Sequence, residues 1–568
     1  MPGFIISNIG NQISFNEQFA CSYIDKQAMI DGFNIRVHTV DKFQNDKLFA
    51  ETNDYFIVTE GVLLNKMELL KENKTDSLSE LIWLHYKKDI KQFINSFVGN
   101  TAGAIYDKKN HTWFVWTNHT ADATVFVYHN EGNVVIASQF DYIIEHLVSN
   151  KISYTFNRDA AYSMLTYGYM CDNRTYANEI IRLMPGECIE LANNKIKQSV
   201  YWKLNKNKYD LLSSTTDEII DGVDEKFRKA VKYEFEKDLE YGYSHVSDMS
   251  GGFDARMVTW VAHNMGYSPI LNIHYSQSNS NEEKISKQIC EYLGHILLIR
   301  PLDEISFIYD VDRIVGMNYG LSLYSGITGG ESILKALNFS AYGIEHTGMI
   351  GDVVIGSFLK STSETKKKEL SGLYSYKLQN KISNEHLNIF KDFELQKVYI
   401  RGLLGACSSF MIRKKYTEPL AVFLYPDLLE YCMCVPVELR AKHKLYNEWI
   451  IKKYPEAAQF NWTYIDAKIT EPSWWVQIKK VARKGSAILL HKLKLRVYRQ
   501  GMNPFFYWYK TKREYREFYE QYFIDNIEHH VFDDELKKDM ICLFENGTPT
   551  EKSQVLTVLS AAKLYFRG

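Results

Sequence analysis

The spacing of hydrophobic and polar residues divides the chain near residue 200. Before that point, short runs rich in β-branched and aromatic residues are separated by turn residues, which is the pattern of strands. Two segments between these runs have helical spacing instead. The pattern predicts an α+β domain of layered antiparallel sheets over residues 1–200. The predicted strands are 55–59, 102–106, 113–116, 125–128 and 133–137, and the predicted helices are 76–97 and 141–147.

The second part of the chain alternates between helical and strand patterns. A stretch rich in Lys, Asn and Ser, 201–216, is predicted to link it to the first part. Strand, helix and strand in succession predict a parallel sheet with right-handed crossovers. We therefore assign residues 217–568 to an α/β domain. Its first predicted elements are helix 217–235, strand 245–249, a helix from Asp254, strand 269–275, helix 282–293 and strand 296–299.

A glycine-rich loop, Ser250-Gly251-Gly252-Phe253-Asp254, joins the first of these strands to its helix. Parallel sheets bind ligands at the carboxyl ends of their strands, and a helix N-terminus attracts anions. Adjacent glycines allow backbone N–H groups to turn inward, and Asp254 can hold a cation that bridges phosphate oxygens. The loop therefore predicts a phosphate site. The alternative is an ordinary turn in which Asp254 caps the helix.

Composition narrows the classes of protein that remain. The chain has 568 residues, a formal net charge of −2 and a charged fraction of 24%, so bulk electrostatics do not indicate a nucleic-acid binder. None of its eight cysteines forms a CxxC pair, which favours buried reduced thiols over zinc ligands. The N-terminal residues lack the features of a signal peptide, and no stretch reaches the roughly 18 apolar residues of a membrane span. We expect a cytoplasmic protein.

Several motifs, taken in order, resemble those of the asparagine-synthetase-like family, which includes glutamine-dependent asparagine synthetases, β-lactam synthetases and lasso-peptide cyclases. The glycine loop is similar to the family's SGGxDS loop, and Thr347-Gly348-Met349-Ile350-Gly351-Asp352 is similar to its TGxGxDE motif. In the first part, Glu60-Gly61-Val62 stands where the family has NGE, and 183–187 is similar to its LPPG turn. The resemblance covers nearly the whole chain. It implies an N-terminal nucleophile-hydrolase-like first domain and a parallel sheet of the pyrophosphatase-loop (HUP-like) type in the second.

The resemblance also implies an activity, that of an ATP-dependent, AMP-forming amide ligase. Asp254 and Asp352 would bind Mg²⁺, and Lys468 would be the catalytic lysine that balances negative charge on the adenylate. The acyl substrate would be a small-molecule, sugar-acid or peptide carboxylate, and the nitrogen donor would be ammonia or an amine. The sequence does not identify the substrate, and it does not show whether the protein is an oligomer. The residues that would contact ATP are Ser250, Gly251, Gly252, Asp254, Gly348 and Gly351.

Some positions depart from the family's pattern. A glutaminase of this type needs Cys, Ser or Thr at its processed N-terminus, where the free α-amine acts as the base. Here Pro2 would take that position, and Glu60 places a carboxylate where the family has the asparagine of its oxyanion hole. These changes predict a degenerate glutaminase-like domain that keeps its fold without hydrolysing glutamine. Met349 and Val353 alter the second motif on either side of Asp352, so asparagine is only one of the open products.

Simpler alternatives remain for the site residues. Asp352 could lie in an ordinary turn, and Lys468 could be a solvated surface lysine. The chain would then be a non-catalytic relative that binds nucleotide or a partner. A basic segment with aromatic residues, which begins at Trp474-Trp475 and extends to Arg499, has two interpretations. It is either a peripheral contact with the inner face of an anionic membrane or a solvated helix packed on its own domain.

Overall fold

Two antiparallel sheets, each six-stranded within the described residues, form the first part of the protein. The computed structural model describes residues 2–10, 23–326, 328–359, 372–383, 390–472, 474–476, 478–479, 481 and 503–567. The strands are β1 (Gly3–Ser7), β2 (Tyr23–Ile30), β3 (Phe33–Val40), β4 (Phe49–Glu51), β5 (Tyr55–Glu60), β6 (Ala102–Asp107), β7 (Thr112–Trp116), β8 (Phe126–Asn130), β9 (Asn133–Ala137), β10 (Ile180–Arg182), β11 (Glu187–Ala192) and β12 (Lys195–Val200). The strand orders are β10-β8-β9-β1-β3-β2 and β12-β11-β7-β6-β5-β4.

The two sheets pack face to face, with helices on their outer faces. Inward side chains of both sheets, among them Phe4, Phe56 and Trp113, form one buried cluster. Helices α1 (Lys66–Glu72) and α2 (Leu78–Ile94) cover the second sheet, while α3 (Phe140–Ser149) and α4 (Arg158–Tyr167) cover the first. The layered antiparallel architecture expected from the short apolar runs is therefore present.

A five-stranded, all-parallel sheet forms the centre of the second part, in the order β15-β14-β13-β16-β17. The predicted parallel sheet is confirmed, and two of its strands, β16 and β17, were not predicted. Its strands are β13 (Ser244–Asp248), β14 (Ile270–Ser276), β15 (Ile296–Pro301), β16 (Tyr342–Thr347) and β17 (Glu418–Ala421). The first helices packed on it are α5 (Thr216–Glu240), α6 (Asp254–Asn264) and α7 (Asn281–Leu293).

The remaining helices surround the parallel sheet or pack at the end of the chain. They are α8 (Val311–Asn318), α9 (Thr328–Leu334), α10 (Phe393–Lys397), α11 (Phe410–Arg413), α12 (Pro426–Cys434), α13 (Val437–Arg440), α14 (Lys444–Lys453), α15 (Phe505–Thr511), α16 (Arg513–Asn526), α17 (Asp534–Glu545) and α18 (Pro549–Tyr565). Two π-helical turns lie at Asp352–Gly356 and Val398–Gly405.

The C-terminal helices do not pack on the parallel sheet alone. Side chains of α15–α18 share a buried cluster with α3, α4 and the first antiparallel sheet. Phe140 of α3 makes an edge contact with Tyr565 of α18, and the Tyr319 hydroxyl donates to the Gln139 side chain. The two parts of the chain therefore share a hydrophobic core, although the sequence separates them cleanly.

The segment predicted as a linker is also packed. No helix or strand is assigned to residues 201–215, but Trp202, Leu204 and Leu211 are buried in the core of the second part. The Trp202 indole donates to Glu430 Oε1 at 3.1 Å, and the Leu204 amide donates to the Tyr399 hydroxyl at 2.9 Å. These contacts hold the connection against the surface of the α/β part.

A buried ionic cluster fixes α5 to the parallel sheet. His346 on β16 bonds Glu234 through Nδ1 at 2.8 Å and Asp238 through Nε2 at 2.9 Å. His245 on β13 bonds the same Asp238 oxygen at 2.8 Å. Burial lowers the pKa of His346, but the two carboxylates outweigh this effect and raise the pKa to about 9. The His346 imidazole is therefore charged at neutral pH.

This cluster predicts a loss of stability at alkaline pH. A histidine whose pKa is raised on folding stabilises the protein fully below its unfolded pKa, and that contribution is lost as the pH rises to and through about 9. We expect the free energy of unfolding to fall by on the order of 2–3 kcal/mol over this window, beyond the effects of other groups. Thermal melts from pH 6 to pH 10 measure it. His346→Gln should flatten the profile, whereas the exposed His530→Gln should leave the slope unchanged; equal slopes in all three proteins would contradict the assignment.

No helix among the described residues is long and apolar enough to cross a membrane. Within the basic segment, Trp474, Trp475, Ile478 and Val481 are exposed and Val476 is buried. Most of that segment, 482–499, lies outside the described residues, so both interpretations of it stay predictions.

Candidate functional site

Two aspartates from distant parts of the chain meet at the carboxyl end of the parallel sheet. Asp254 is the first residue of α6, and Asp352 follows the turn after β16. The Asp352 backbone N–H donates to Asp254 Oδ2 at 3.0 Å, and the Tyr446 hydroxyl donates to Asp254 Oδ1 at 3.1 Å. The structure therefore brings together the two carboxylates that the sequence assigned to one metal ion. The N-cap position of α6 is Phe253, and Asp254 is the first residue inside the helix.

Two glycines of the second motif allow this approach. A Cβ on Gly348 would lie 2.2 Å from the backbone nitrogen of Ala255. A Cβ on Gly351 would lie 2.5 Å from the Phe423 ring and 2.8 Å from the Asp254 carboxyl carbon. Any larger residue would push the turn away from the start of α6. In this structure Gly348 and Gly351 act through close packing, and their predicted contact with ATP stays a prediction.

The electrostatics of the pair favour a bound cation. Burial raises the pKa of Asp254 well above its usual value, and the nearby Asp352 carboxylate raises it further. Burial also raises the pKa of Asp352, while His443 and Arg401 act to lower it. Among the residues that the structure describes, no lysine or arginine forms an ion pair with either carboxylate. Carboxylate oxygens are ligands that Mg²⁺ prefers, so the pair fits a divalent cation.

The glycine loop differs from the free anion nest that the sequence predicted. The Gly251 N–H donates to Glu282 Oε2 at 2.7 Å, and the Gly252 N–H donates to Ser250 Oγ at 3.2 Å. Neither glycine has a positive φ. A Cβ on Gly251 would meet Thr463 Oγ1 at 2.0 Å, so this glycine permits contact with the 461–463 segment. A phosphate at the loop would have to replace or share the donors that Glu282 and Ser250 now occupy.

Arg256 connects the glycine loop to the 461–463 segment. Its guanidinium is buried and donates to the backbone oxygens of Gly251 at 2.8 Å and Asn461 at 2.6 Å. The Phe253 ring stacks on Trp462 with centroids 4.4 Å apart. The loop is therefore attached to the 461–463 segment, which precedes Lys468.

The contacts of Lys468 are made within its own stretch of the chain. Its ammonium contacts Gln459 Oε1 at 3.5 Å, and its backbone N–H donates to Glu471. It is not among the residues that line the cleft next to Asp352. The catalytic role of Lys468 stays a prediction that these contacts do not support.

A large cleft opens beside Asp352. Its volume is about 790 Å³, within the range of roughly 300–1,000 Å³ that is typical of ligand sites. Aromatic side chains form much of its wall: Tyr169, Tyr275, Phe358, Tyr374 and Tyr376. Arg413 also lines it, but Asp248 and Glu345 both pair with that guanidinium. This ion pair accounts for the polar Asp248 at the end of a buried parallel strand.

The cleft also includes part of the 322–331 segment. Ser322, Gly326, Gly330 and Glu331 line it, whereas Tyr324 is fully buried in the shared core, where its hydroxyl bonds Tyr519 at 2.9 Å. Tyr324 therefore belongs to the packed core and does not line the cleft.

A small cavity in the first domain lies beside Glu60 and Gly61, which stand in place of the family's NGE motif. Pro2, Glu60, Gly61 and Asn100 line it, and its volume is about 40 Å³. Such a space holds a few water molecules and is far smaller than a typical ligand site of roughly 300–1,000 Å³. Among the residues lining it, none offers a thiol, the Ser138 hydroxyl accepts from the Phe4 backbone N–H, and the Thr124 hydroxyl donates to the Ser138 backbone oxygen.

Residues of the second domain close this cavity. The almost fully buried Lys47 ammonium lies 3.1 Å from Glu60 Oε1 and 3.5 Å from Oε1 of Glu418, on β17. Lys414 donates to the Asp122 backbone oxygen at 2.7 Å. Burial raises the pKa of Glu60 and Glu418 adds to the rise, while Lys47 opposes it. The position that departs from NGE thus takes part in an ion cluster between the domains.

Several site residues could not be found from the sequence. Tyr446, Glu282 and Arg401 belong to elements whose patterns gave no sign of a site, because each reaches the aspartate pair or the loop through tertiary packing. Only Glu282 had a weak signal, as part of an acidic turn at the start of α7.

Comparison with known proteins supports the prediction of a glutaminase-like first domain. Residues 21–202 match the family model of the glutamine amidotransferase domain. Two solved structures are similar: the allosteric regulatory enzyme of purine biosynthesis, and the glutamine phosphoribosylpyrophosphate amidotransferase from B. subtilis complexed with ADP and GMP. The first has 9% identity over 54% of this chain and 76% of that chain, with a TM-score of 0.23. The second has 11% identity over 52% and 84%, with a TM-score of 0.22. At these scores neither likeness carries a functional argument. No curated protein matches the chain significantly.

Proposed function

We propose that this protein is an ATP-dependent, AMP-forming amide ligase of asparagine-synthetase type, with a HUP-like second domain. One observation carries the proposal: Asp254, which follows the glycine loop, and Asp352, which follows β16, meet at the carboxyl end of the parallel sheet beside a cleft of about 790 Å³. Ligands of parallel α/β sheets bind at this edge. The amidotransferase-type first domain agrees with an enzyme that forms amides.

The chemistry requires activation of a carboxylate before an amine can attack. A carboxylate oxygen of the acyl substrate attacks the α-phosphorus of ATP, the bond to the β-phosphate oxygen breaks, and pyrophosphate leaves. The amine nitrogen then attacks the acyl carbon, AMP departs with the bonding electron pair, and the nitrogen loses a proton. Asp254 and Asp352 would hold Mg²⁺, which neutralises charge on phosphate oxygens. The cleft beside Asp352 would hold the acyl substrate.

The nitrogen donor is taken from outside the protein. The cavity of the first domain is small, none of its lining residues offers a thiol, and Glu60 is occupied by the ion cluster. We therefore propose free ammonia or an amine substrate as the donor, and a structural role for the amidotransferase-type domain.

ATP–pyrophosphate exchange tests this function. The full-length protein with Mg²⁺ is assayed against aspartate, sugar acids and peptides as acyl substrates. We expect exchange with one class of carboxylate, and amide formation with ammonium or an amine but not with glutamine at neutral pH. Glutamine-dependent product would overturn the proposed loss of the glutaminase. Free ammonium in the glutamine stock is removed enzymatically as the control.

The contact between Glu282 and Gly251 favours one alternative, a non-catalytic protein whose loop no longer accepts phosphate. Equilibrium binding of ATP with Mg²⁺ separates the two functions. Saturable binding together with exchange supports the ligase, whereas absence of both across the panel supports the alternative.

A further inference from the structure

Arg401 is an arginine of the cleft that forms no ion pair with a carboxylate among the described residues, although its charge lowers the pKa of Asp352. It lies in the π-helical turn Val398–Gly405, is exposed, and lines the cleft together with Asp352. Its guanidinium lies over the Phe358 ring, 4.9 Å from the centroid. Arg413, the other arginine of the cleft, is instead neutralised by Asp248 and Glu345. The two arginines therefore differ in what they can offer a ligand.

The Tyr169 hydroxyl provides a second, independent observation. Tyr169 is only 5% exposed, and its hydroxyl has no hydrogen-bond partner in the part of the chain that the structure describes. It lines the same cleft as Arg401. The Tyr169 oxygen and the Arg401 Cδ atom each lie 3.4 Å from the point that a Cβ on Gly372 would occupy. A buried hydroxyl without a partner is unfavourable unless a ligand completes it.

We propose that Arg401 and Tyr169 form an oxyanion subsite of the cleft, which binds a carboxylate or phosphate group of the acyl substrate other than the carboxylate that reacts. A guanidinium presents parallel N–H donors that match either oxyanion, and the Phe358 ring supports its plane. The tyrosine hydroxyl supplies a further donor. The assignment of this anion to the acyl substrate rests on the proposed function, and it selects substrates that carry a second negative charge.

The position of the subsite favours the acyl substrate over the nucleotide. Asp352 is the member of the aspartate pair that lines the cleft, and no residue from Ser250 to Phe253 does so. The glycine loop therefore lies outside the lining of the cleft that contains the subsite. An anion held at Arg401 leaves the loop available to the phosphates of ATP.

Binding measurements on the full-length protein test this subsite. Calorimetric titration uses succinate and glutarate, their monoamides, a sugar phosphate and inorganic phosphate, each at up to millimolar concentration. Pyrophosphate and ATP with Mg²⁺ are titrated separately. We expect at least one dianion to bind the wild type more tightly than its singly charged counterpart. Arg401→Gln should weaken that binding by about tenfold or more, and Tyr169→Phe should weaken it less.

The controls separate this inference from the proposed function. Arg300→Gln, an exposed arginine on the edge strand β15, should bind the anions as the wild type does, and Arg401→Lys should retain part of the affinity. The relative affinities of dicarboxylates and phosphates identify which oxyanion the subsite takes. Equal anion affinity in wild type and Arg401→Gln, a parallel loss of pyrophosphate binding, or no anion binding by the wild type would overturn the subsite. If the protein binds an anion in an Arg401-dependent way but catalyses no ATP–pyrophosphate exchange, the proposed ligase function is overturned. The subsite then remains as a binding site for anions.

Discussion

Replacing Asp254 or Asp352 with asparagine is expected to lower the rate of ATP–pyrophosphate exchange by a factor on the order of 10²–10³. Each change keeps the shape of the side chain and removes one of the two charges that would hold the cation. The Asp352 N–H and the Tyr446 hydroxyl donate to Asp254, and an amide oxygen can accept only part of this set. Exchange assays at saturating Mg²⁺ measure the loss. The control is Asp210→Asn, an exposed position in the 201–216 segment, which should exchange at the wild-type rate.

A second measurement on the same variants does not depend on activity. The pKa of Asp254 is raised on folding, so its contribution to stability is present at low pH and is lost as the pH rises through the folded pKa. At pH 8 without metal, Asp254→Asn should therefore unfold at a higher temperature than the wild type. Mg²⁺ should raise the unfolding temperature of the wild type and leave the variant nearly unchanged. A variant that responds to Mg²⁺ as the wild type does would disprove the metal assignment.

Local pattern was sufficient for the elements that surround the loop. The helix predicted to begin at Asp254 does begin there, and strand 269–275 corresponds to Ile270–Ser276. These segments combine a clear hydrophobic period with turn residues at their ends. The strands β16 and β17 escaped prediction because each carries a charged residue, Glu345 or Glu418, whose partner comes from elsewhere in the fold. Burial of these charges depends on contacts that no local window contains.

Of the candidate site, only the residues that belong to a sequence motif could be predicted. Asp254 and Asp352 were assigned to one site, and the structure brings them together. The hydrogen bonding of the glycine loop could not be predicted, since the carboxylate that accepts from the Gly251 N–H belongs to Glu282, 31 positions away. The same holds for the packing of Gly348 on Ala255, because a sequence shows a glycine without the backbone that approaches it.

Replacing Lys47 with methionine is expected to destabilise the protein by about 3–5 kcal/mol, as measured when one partner of a buried ion pair is removed. Lys47 is the cation between Glu60 of the first domain and Glu418 of the second. Without it, two buried carboxylates face each other, and one oxygen of Glu60 already has no hydrogen-bond partner among the described residues. Thermal and urea unfolding measure the change. The matched control is Lys109→Met on an exposed turn, which should stay within about 0.5 kcal/mol of wild type.

The pH dependence of this loss identifies its cause. The pKa of Glu60 is raised on folding, and removal of Lys47 takes away the charge that opposes the rise. An acid with a raised folded pKa stabilises the protein at low pH and loses that contribution as the pH increases. The deficit of Lys47→Met should therefore be smaller at pH 5 than at pH 8, and adding Glu60→Gln and Glu418→Gln should recover much of it. A loss of stability that is independent of pH, and that the two glutamine substitutions do not restore, would mean that Lys47 acts through packing of its aliphatic chain. The glutamate at position 60 would then not serve to join the two domains.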